Sequence, residues 1–499
     1  LFKAWSELRP QELERVLERV ELELEAGDGA AALALLDAAT GKVPPKRQDL
    51  RVLWLRSRAY GLLTRFDAQL EEAELFRERS QELGAERFEL LAELQRARAL
   101  NRLGKAPETV RQALGRANEL AQKLEDPLLQ ADLWTLAGHS ELLAGNWTPA
   151  RNWYLKARDQ FENAGHGTGV AISELGLGNV AYQSGNPQQA LAHFQAAARE
   201  FSELEEPHYR VQAEISYALS LAGVGRLGES ETLYRSACPE ASRLGILARE
   251  GYCWMGLAGV LYEKSQLSEE KQVLAKALSL AKASGDRRLL GLVKLYESRH
   301  LLEQANFKEA IERAEEARSA FEEAADRQYT VHAEWQALRS RLEENPETES
   351  LQNQLSRFLD ELLRTGSVDP SVYETFVEAL RLELRVSQTP LQRRPLQKYI
   401  AALKHSDFWR VRAQAILLEV ELALSRGNLA LARKLAASLQ QEASELGARR
   451  SELEAELLAA RASGSETELT SSCQKAETLG FVLLARTSCG GSQPTARSH

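Results

Sequence analysis

Few residues of this chain stand at spacings that could do chemistry. Gly223, Gly225 and Gly228 spell a GxGxxG run. Such a run cradles a pyrophosphate when a strand precedes it and a helix follows. Here both flanks read as helix, so the run is expected to be a turn. Gly165-His166-Gly167-Thr168-Gly169 reads likewise as a connection between helices. The eight histidines are scattered, with no His-x-x-x-His pair and no carboxylate cluster at metal-ligand spacing. His139 and His193 fall inside helical segments. No nucleophile elbow, P-loop or zinc pattern occurs, and no cofactor or metal is implied. The remaining route to an enzyme is a cleft gathering residues from distant segments.

Four cysteines, Cys238, Cys253, Cys473 and Cys489, are spread through 499 residues and form neither a zinc pattern nor a disulfide framework. They are expected to be reduced thiols in a cytoplasmic protein. No apolar run approaches the roughly 20 residues that span a bilayer, and no signal peptide is visible. Asn146-Trp147-Thr148 is a glycosylation sequon by formula, without meaning in a cytoplasmic chain. The chain starts at Leu1 and its single methionine is Met255. It is therefore expected to be the downstream part of a larger protein.

Charge narrows the partners. The formal net charge is −9, which argues against a dedicated phosphate-backbone binder. One segment runs the other way: Arg393, Arg394, Lys398, Arg410 and Arg412 lie among Tyr399, Phe408 and Trp409. Basic and aromatic residues so interleaved fit an acidic partner surface, a nucleic acid, or a solvated helix face. The Glu/Arg-rich stretch Glu71 to Arg87 reads as an exposed face with i,i+4 pairs.

The elements that carry these residues are helices in a repeat. Gly145-Asn146, Gly185-Asn186 and Gly225-Arg226 are turns 40 residues apart, and Ser265 and Ala305-Asn306 continue the step. Five residues after a turn comes Ala32, Ala150, Ala190, Ser230, Ala310 or Ala432. Four further on stands Leu36, Tyr154, Phe194, Tyr234 or Leu274, and then Ala39, Ala157, Ala197, Ala237, Ala277 or Ala317. Steps of four and three place all of them on one helical stripe. Small residues let helices approach, and larger ones fill the space beside them. Each unit is thus a helix A, a tight turn and a helix B. Pro239 inside one helix B is expected to kink or break it.

Trp134, Gly138, Gly145, Ala150, Tyr154 and Ala157, and again Leu177, Gly178, Gly185, Ala190, Phe194 and Ala197, resemble the tetratricopeptide signature. The step near 40 residues, longer than the usual 34, resembles the repeat domain of MalT-type regulators and related signal-transduction ATPases. The resemblance covers residues 14–325 and, less closely, 408–485. It implies an all-α fold, a right-handed α-solenoid of antiparallel helix pairs with roughly twelve repeats. The divisions expected are a solenoid block over 1–344, degenerate repeats or a bend over 345–407, further repeats over 408–487 and a disordered tail over 488–499. Helices still fit Leu351–Leu363, Val372–Leu384 and Pro395–Leu403 in the second of these.

Stacked pairs curve, with helix A on the inner surface. Register along that surface selects His139, Asn179, Tyr182, Gln183, Tyr262, Glu263, Arg299 and Glu303 as groove residues facing a partner. Amide, guanidinium and phenol groups suit recognition of an extended peptide. The function expected is protein–protein interaction without catalysis: a regulatory sensor array attached to an upstream domain, or a free-standing scaffold holding peptides in its groove. The partner is accordingly a protein, a peptide or an upstream domain of the same polypeptide, without membrane contact.

Overall fold

The computed structural model describes residues 10–25, 28–41, 48–63, 65–103, 107–324, 326–364, 372–386 and 396–489. Among the described residues every regular element is a helix. The first eight are α1 (Pro10–Glu25), α2 (Gly29–Thr40), α3 (Leu50–Leu62), α4 (Phe66–Glu82), α5 (Glu86–Arg102), α6 (Pro107–Leu124), α7 (Pro127–Leu143) and α8 (Trp147–Asn163). Then follow α9 (Gly167–Gln183), α10 (Pro187–Glu203), α11 (Pro207–Val224), α12 (Leu227–Arg243), α13 (Leu247–Glu263), α14 (Leu267–Ser284), α15 (Arg287–Glu303), α16 (Phe307–Glu323) and α17 (Arg327–Glu344). The chain continues as α18 (Glu349–Leu362), α19 (Tyr373–Val386), α20 (Leu396–Leu403), α21 (Trp409–Ser425), α22 (Leu429–Glu445), α23 (Arg449–Ser463), α24 (Glu466–Thr478) and α25 (Val482–Cys489).

The punctuation is finer than the sequence shows. A left-handed residue ends each helix at Glu125, Gly145, Gly165, Gly185, Glu205, Gly225, Gly245, Ser265, Gly285 and Ala305, a step of 20 residues throughout. Four of these are not glycine, so the stop is imposed by packing as well as by local preference. Restart signals alternate. Asp126, Asp286 and Asp326 accept hydrogen bonds from the first-turn amides of α7, α15 and α17, which satisfies donors left over at a helix start. His166 caps α9 the same way, its Nδ1 accepting from the Gly169 amide at 3.0 Å, so its glycine-rich run is a cap.

The core is a stripe renewed in every unit. Ala157, Ala197, Ala237, Ala277 and Ala317 are all fully buried, with Tyr154, Phe194, Tyr234 and Leu274 beside them. Close approach is the reason for small residues: a Cβ at Gly178 would fall 2.5 Å from the Phe194 ring. Aromatic stacks join units, with Phe201 on Tyr209 at 5.2 Å and Phe321 on Tyr329 at 5.3 Å. Consecutive helices pack on one another from α1 to α19 and from α20 to α25, with α19 packing chiefly on α21, which makes the molecule an α-solenoid of helix pairs.

Two expectations need correction. Pro239 does not break its helix, since α12 continues from Leu227 to Arg243. Pro239 and Arg235, whose carbonyl loses its donor, are both exposed, so water can take that bond. The cysteines are not free thiols: Cys238 is joined to Cys253 and Cys473 to Cys489. Spacings of 15 and 16 residues hide these pairs. Antiparallel neighbours bring the first pair to a Cα separation of 5.4 Å, which suits a disulfide.

The weak stretch of the pattern holds α18, α19 and α20 as ordinary helices. Pro370, Pro390 and Pro395 lie outside the described residues, as do Arg393, Arg394 and residues 490–499 of the expected tail. Ser488 and Cys489 belong to α25.

Candidate functional site

The A helices, which are the odd-numbered ones, coil around a chamber of about 3000 Å³. Its wall carries Asn179, Tyr182 and Gln183 of α9, Leu219 of α11, Tyr252 and Gly259 of α13, and Tyr296 and Arg299 of α15. Asn179 and Gln183 are half-buried and hold no hydrogen bond among the described residues.

The two ends of the coil are built differently. Packing joins α11 to α21, α13 to α23 and α15 to α25, always ten helices further on. Ten helices are five repeats, so this is one superhelical turn resting on the next. Glycines admit the contact. A Cβ at Gly223 would meet Phe408 at 3.3 Å, and one at Gly225 would meet Leu446 at 3.0 Å and Trp409 at 3.3 Å. The GxGxxG run therefore serves close packing between turns. Phe408 also meets Tyr182 edge to face at 5.1 Å. Among the described residues no comparable packing joins α1, α3, α5 or α7 to the helix ten further on.

Charge fills the closed end. Arg410 reaches Glu263 at 2.8 Å and also contacts Glu374. Arg450 donates to Glu303 at 2.9 Å and to Glu454 at 3.0 Å. Arg381 donates to Glu454 at 2.7 Å, to Glu421 at 2.8 Å and to Gln414. Tyr262 lies among them, its hydroxyl donating to Glu303 at 2.6 Å. Arg299 covers that ring at 3.7 Å and Arg450 approaches it at 5.3 Å, cation–π geometry at a desolvated site. Below Arg299 lies Glu270, fully buried where other units have Ala150, Ala190, Ser230 or Ala310. It meets His300 at 3.0 Å and Arg299 at 3.7 Å.

Burial works against ionising these carboxyls, yet the arginines overcome it. Arg450 and Arg339 hold Glu303 below the usual carboxylate range. Arg381 and Arg450 bring Glu454 down to about 2. Glu374 goes the other way: burial raises it, and Glu378 and Glu263 add to that against Arg410. At the open end His139 is pushed down to about 3 by burial, then by Arg102, Arg288 and Arg98.

The sequence-selected residues thus divide. Asn179, Tyr182, Gln183, Tyr262, Glu263 and Arg299 line the chamber, whereas His139 does not. Tyr262, Glu263 and Glu303 are buried and bound to Arg410 and Arg450. The basic segment does not present one surface: Arg410 points at Glu263, Arg412 pairs with Glu442 at 3.2 Å, and Lys398 is exposed. Sequence reasoning missed Glu270, Glu374, Arg381, Arg450 and Glu454. Glu270 was the findable one, since a carboxylate replaces the small residue of its stripe.

Comparison with known proteins agrees with the fold. Residues 129–199 match the tetratricopeptide repeat family model. No curated protein sequence matches the chain. Among solved structures, a Rap protein complexed with Competence and Sporulation Factor is 16% identical, with 79% of this chain and 99% of that one covered, at a TM-score of 0.52. The apo quorum sensor NprR from B. thuringiensis is 14% identical over 72% of this chain and 98% of that one, with a TM-score of 0.43. A signal transduction ATPase with a tetratricopeptide repeat sensor from Pyrococcus horikoshii is 13% identical over 68% of this chain and 54% of that one, also at 0.43.

Proposed function

We propose that this tetratricopeptide-repeat chain is a regulatory binding array that takes a peptide or protein segment into its superhelical chamber. The chamber carries the reading. At about 3000 Å³ it exceeds the roughly 300–1,000 Å³ of a small-molecule pocket. It fits a stretch of polypeptide, and its wall offers what such a stretch needs. The amides of Asn179 and Gln183 stand ready for a peptide backbone. Tyr252, Tyr296 and Leu219 offer apolar contact. That the Rap structure of like fold holds a factor supports the same use here.

Regulation follows from the two-ended build. A segment entering the open end lies against helices whose other ends carry the inter-turn ion pairs, so its binding free energy can shift the spacing of the turns. In that reading the chain is the sensor of a larger signalling protein, and the repeats report occupancy to an attached domain.

Selection from a random peptide display library on the purified chain tests this. Enriched peptides are expected to bind the native chain and to lose about tenfold or more in affinity, roughly 1.4 kcal/mol, with Asn179→Ala and Gln183→Ala combined. No enrichment, or peptides indifferent to that double change, would refute the chamber as the binding site.

A further inference from the structure

Two arginines of the open end lack what the closed end has. Among the described residues, neither Arg102 nor Arg249 has a carboxylate within ion-pair distance. Two other arginines of the chamber wall are neutralised: Arg288 holds Asp326 at 2.6 Å and Arg287 holds Glu323 at 3.0 Å. Arg249 donates only to the His208 carbonyl, at 2.7 Å, and lies 6.0 Å from the Tyr209 ring. Arg102 lies 6.0 Å from the Phe66 ring. Both line the chamber, Arg102 from the last turn of α5 and Arg249 from the first turn of α13.

Arg102 ends α5 and Arg249 lies in the first turn of α13, eight helices on, the same register in which Glu263 at the end of α13 meets Arg410 in the first turn of α21. The charge of Arg102 is felt at Arg249 and at Tyr252, and Arg102 and Arg288 are both felt at His139. Two like charges across a gap repel, and the repulsion is strongest where the walls exclude water. At the closed end the same step between turns is bridged by opposite charges, Arg410 to Glu263 and Arg450 to Glu303. The open end also exposes Leu62, Leu143, Leu204 and Leu247 along the chamber. Four leucines share that wall with the two guanidinium groups and the rings of Phe66 and Tyr209, and the net charge of −9 disfavours a phosphate backbone as the ligand.

We infer that Arg102 and Arg249 form an anion subsite for a carboxylate side chain of an acidic, leucine-containing peptide, and that this carboxylate draws the two turns together. Guanidinium forks bind carboxylates through charge-assisted hydrogen bonds. The leucines give the flanking apolar residues of the peptide a surface. The ligand thus completes at the open end the closure that the chain makes for itself at the other. This inference rests on the chamber being the place where a peptide binds.

The test uses the full chain and a fluorescent nonapeptide of alternating Glu and Leu, beside its Gln-for-Glu counterpart and a thymidine oligonucleotide. The acidic peptide is expected to bind about tenfold more tightly than the Gln peptide, to weaken with salt, and to lower the radius of gyration in solution scattering. R102Q with R249Q should erase the difference; R102Q alone, which removes no hydrogen bond or ion pair whereas R249Q loses the bond to the His208 carbonyl, should weaken the acidic peptide while leaving the melting temperature unchanged. Equal affinity of the two peptides, or a preference that survives R102Q and R249Q, would overturn the subsite. If both peptides bind equally and both fail on Asn179→Ala with Gln183→Ala, the chamber stands and the subsite alone falls. Binding of the oligonucleotide in place of either peptide, or binding of none of the three, would overturn it as well.

Discussion

The turn that begins at α11 and the turn that precedes it are made of the same helix pair, yet only one is sealed. The A helices α11, α13 and α15 each meet the A helix one superhelical turn later, and the seam is arginine on glutamate. Before α11 the corresponding region shows Arg102 without a carboxylate, exposed leucines such as Leu62 and Leu143, and a histidine kept neutral by burial. The difference teaches that the repeat fixes the coil but not its pitch. Pitch is set by the few residues that reach between turns, and charge at those residues decides whether a gap closes on itself.

The largest predicted contrast lies between two arginines. Arg450→Ala strands Glu303 and Glu454 in a buried site and should cost about 3–5 kcal/mol. Arg102→Ala removes an exposed group without a carboxylate and should change stability by about 0.5 kcal/mol or less. Chemical denaturation of both variants checks this, and similar losses would erase the distinction between the ends.

Two turn glycines sharpen it further. Gly225 has φ of +93° and faces Leu446 at 3.0 Å, whereas Gly165 has φ of +67° and open space around it. Gly225→Ala should cost about 2 kcal/mol or more and Gly165→Ala about 1 kcal/mol, the conformational part alone. Thermal unfolding would rank them, and equal losses would mean that the inter-turn contact adds nothing.

Acid should loosen the two ends in sequence. His139 has a folded value near 3 against 6.5 in the unfolded chain. The unfolded state therefore binds the extra proton, and stability falls as pH drops below 6.5. By about pH 5.5 the loss is about 1.4 kcal/mol. Asp132 on the same helix is raised by burial and acts in the opposite sense at lower pH. The depressed carboxyls Glu303 and Glu454 stabilise the closed end above their ordinary value of 4.5, and that stabilisation is lost as pH falls below 4.5, for Glu454 down to about 2. Hydrogen exchange on acidification should show α7 losing protection before α23. His139→Asn should abolish the early step, and simultaneous loss in both regions would count against the assignment.

Much of this molecule could be read before its structure. The stripe of Ala157, Ala197, Ala237, Ala277 and Ala317 declares helix pairs because it is local and periodic, and the 40-residue step carries over to the fold. The seam between turns declares nothing of the kind. Arg450 and Glu303 are 147 residues apart, and no period links them. The traces left in sequence are departures from the repeat: Glu270 on a stripe of small residues, and glycines at 223 and 225 that read as a weak nucleotide motif. The groove register was legible as far as Asn179 and Gln183. It could not show that Tyr262, Glu263 and Glu303 are covered by the chain's own later turn, since that depends on pitch.

The seam itself is tested most directly by a double-mutant cycle on Arg450 and Glu303, using Arg450→Ala and Glu303→Gln, the latter retaining an acceptor for Tyr262. A sealed seam predicts a coupling of at least about 1.5 kcal/mol between residues so far apart in sequence. Stability losses that simply add, within about 0.3–0.5 kcal/mol, would show that the turns do not meet there.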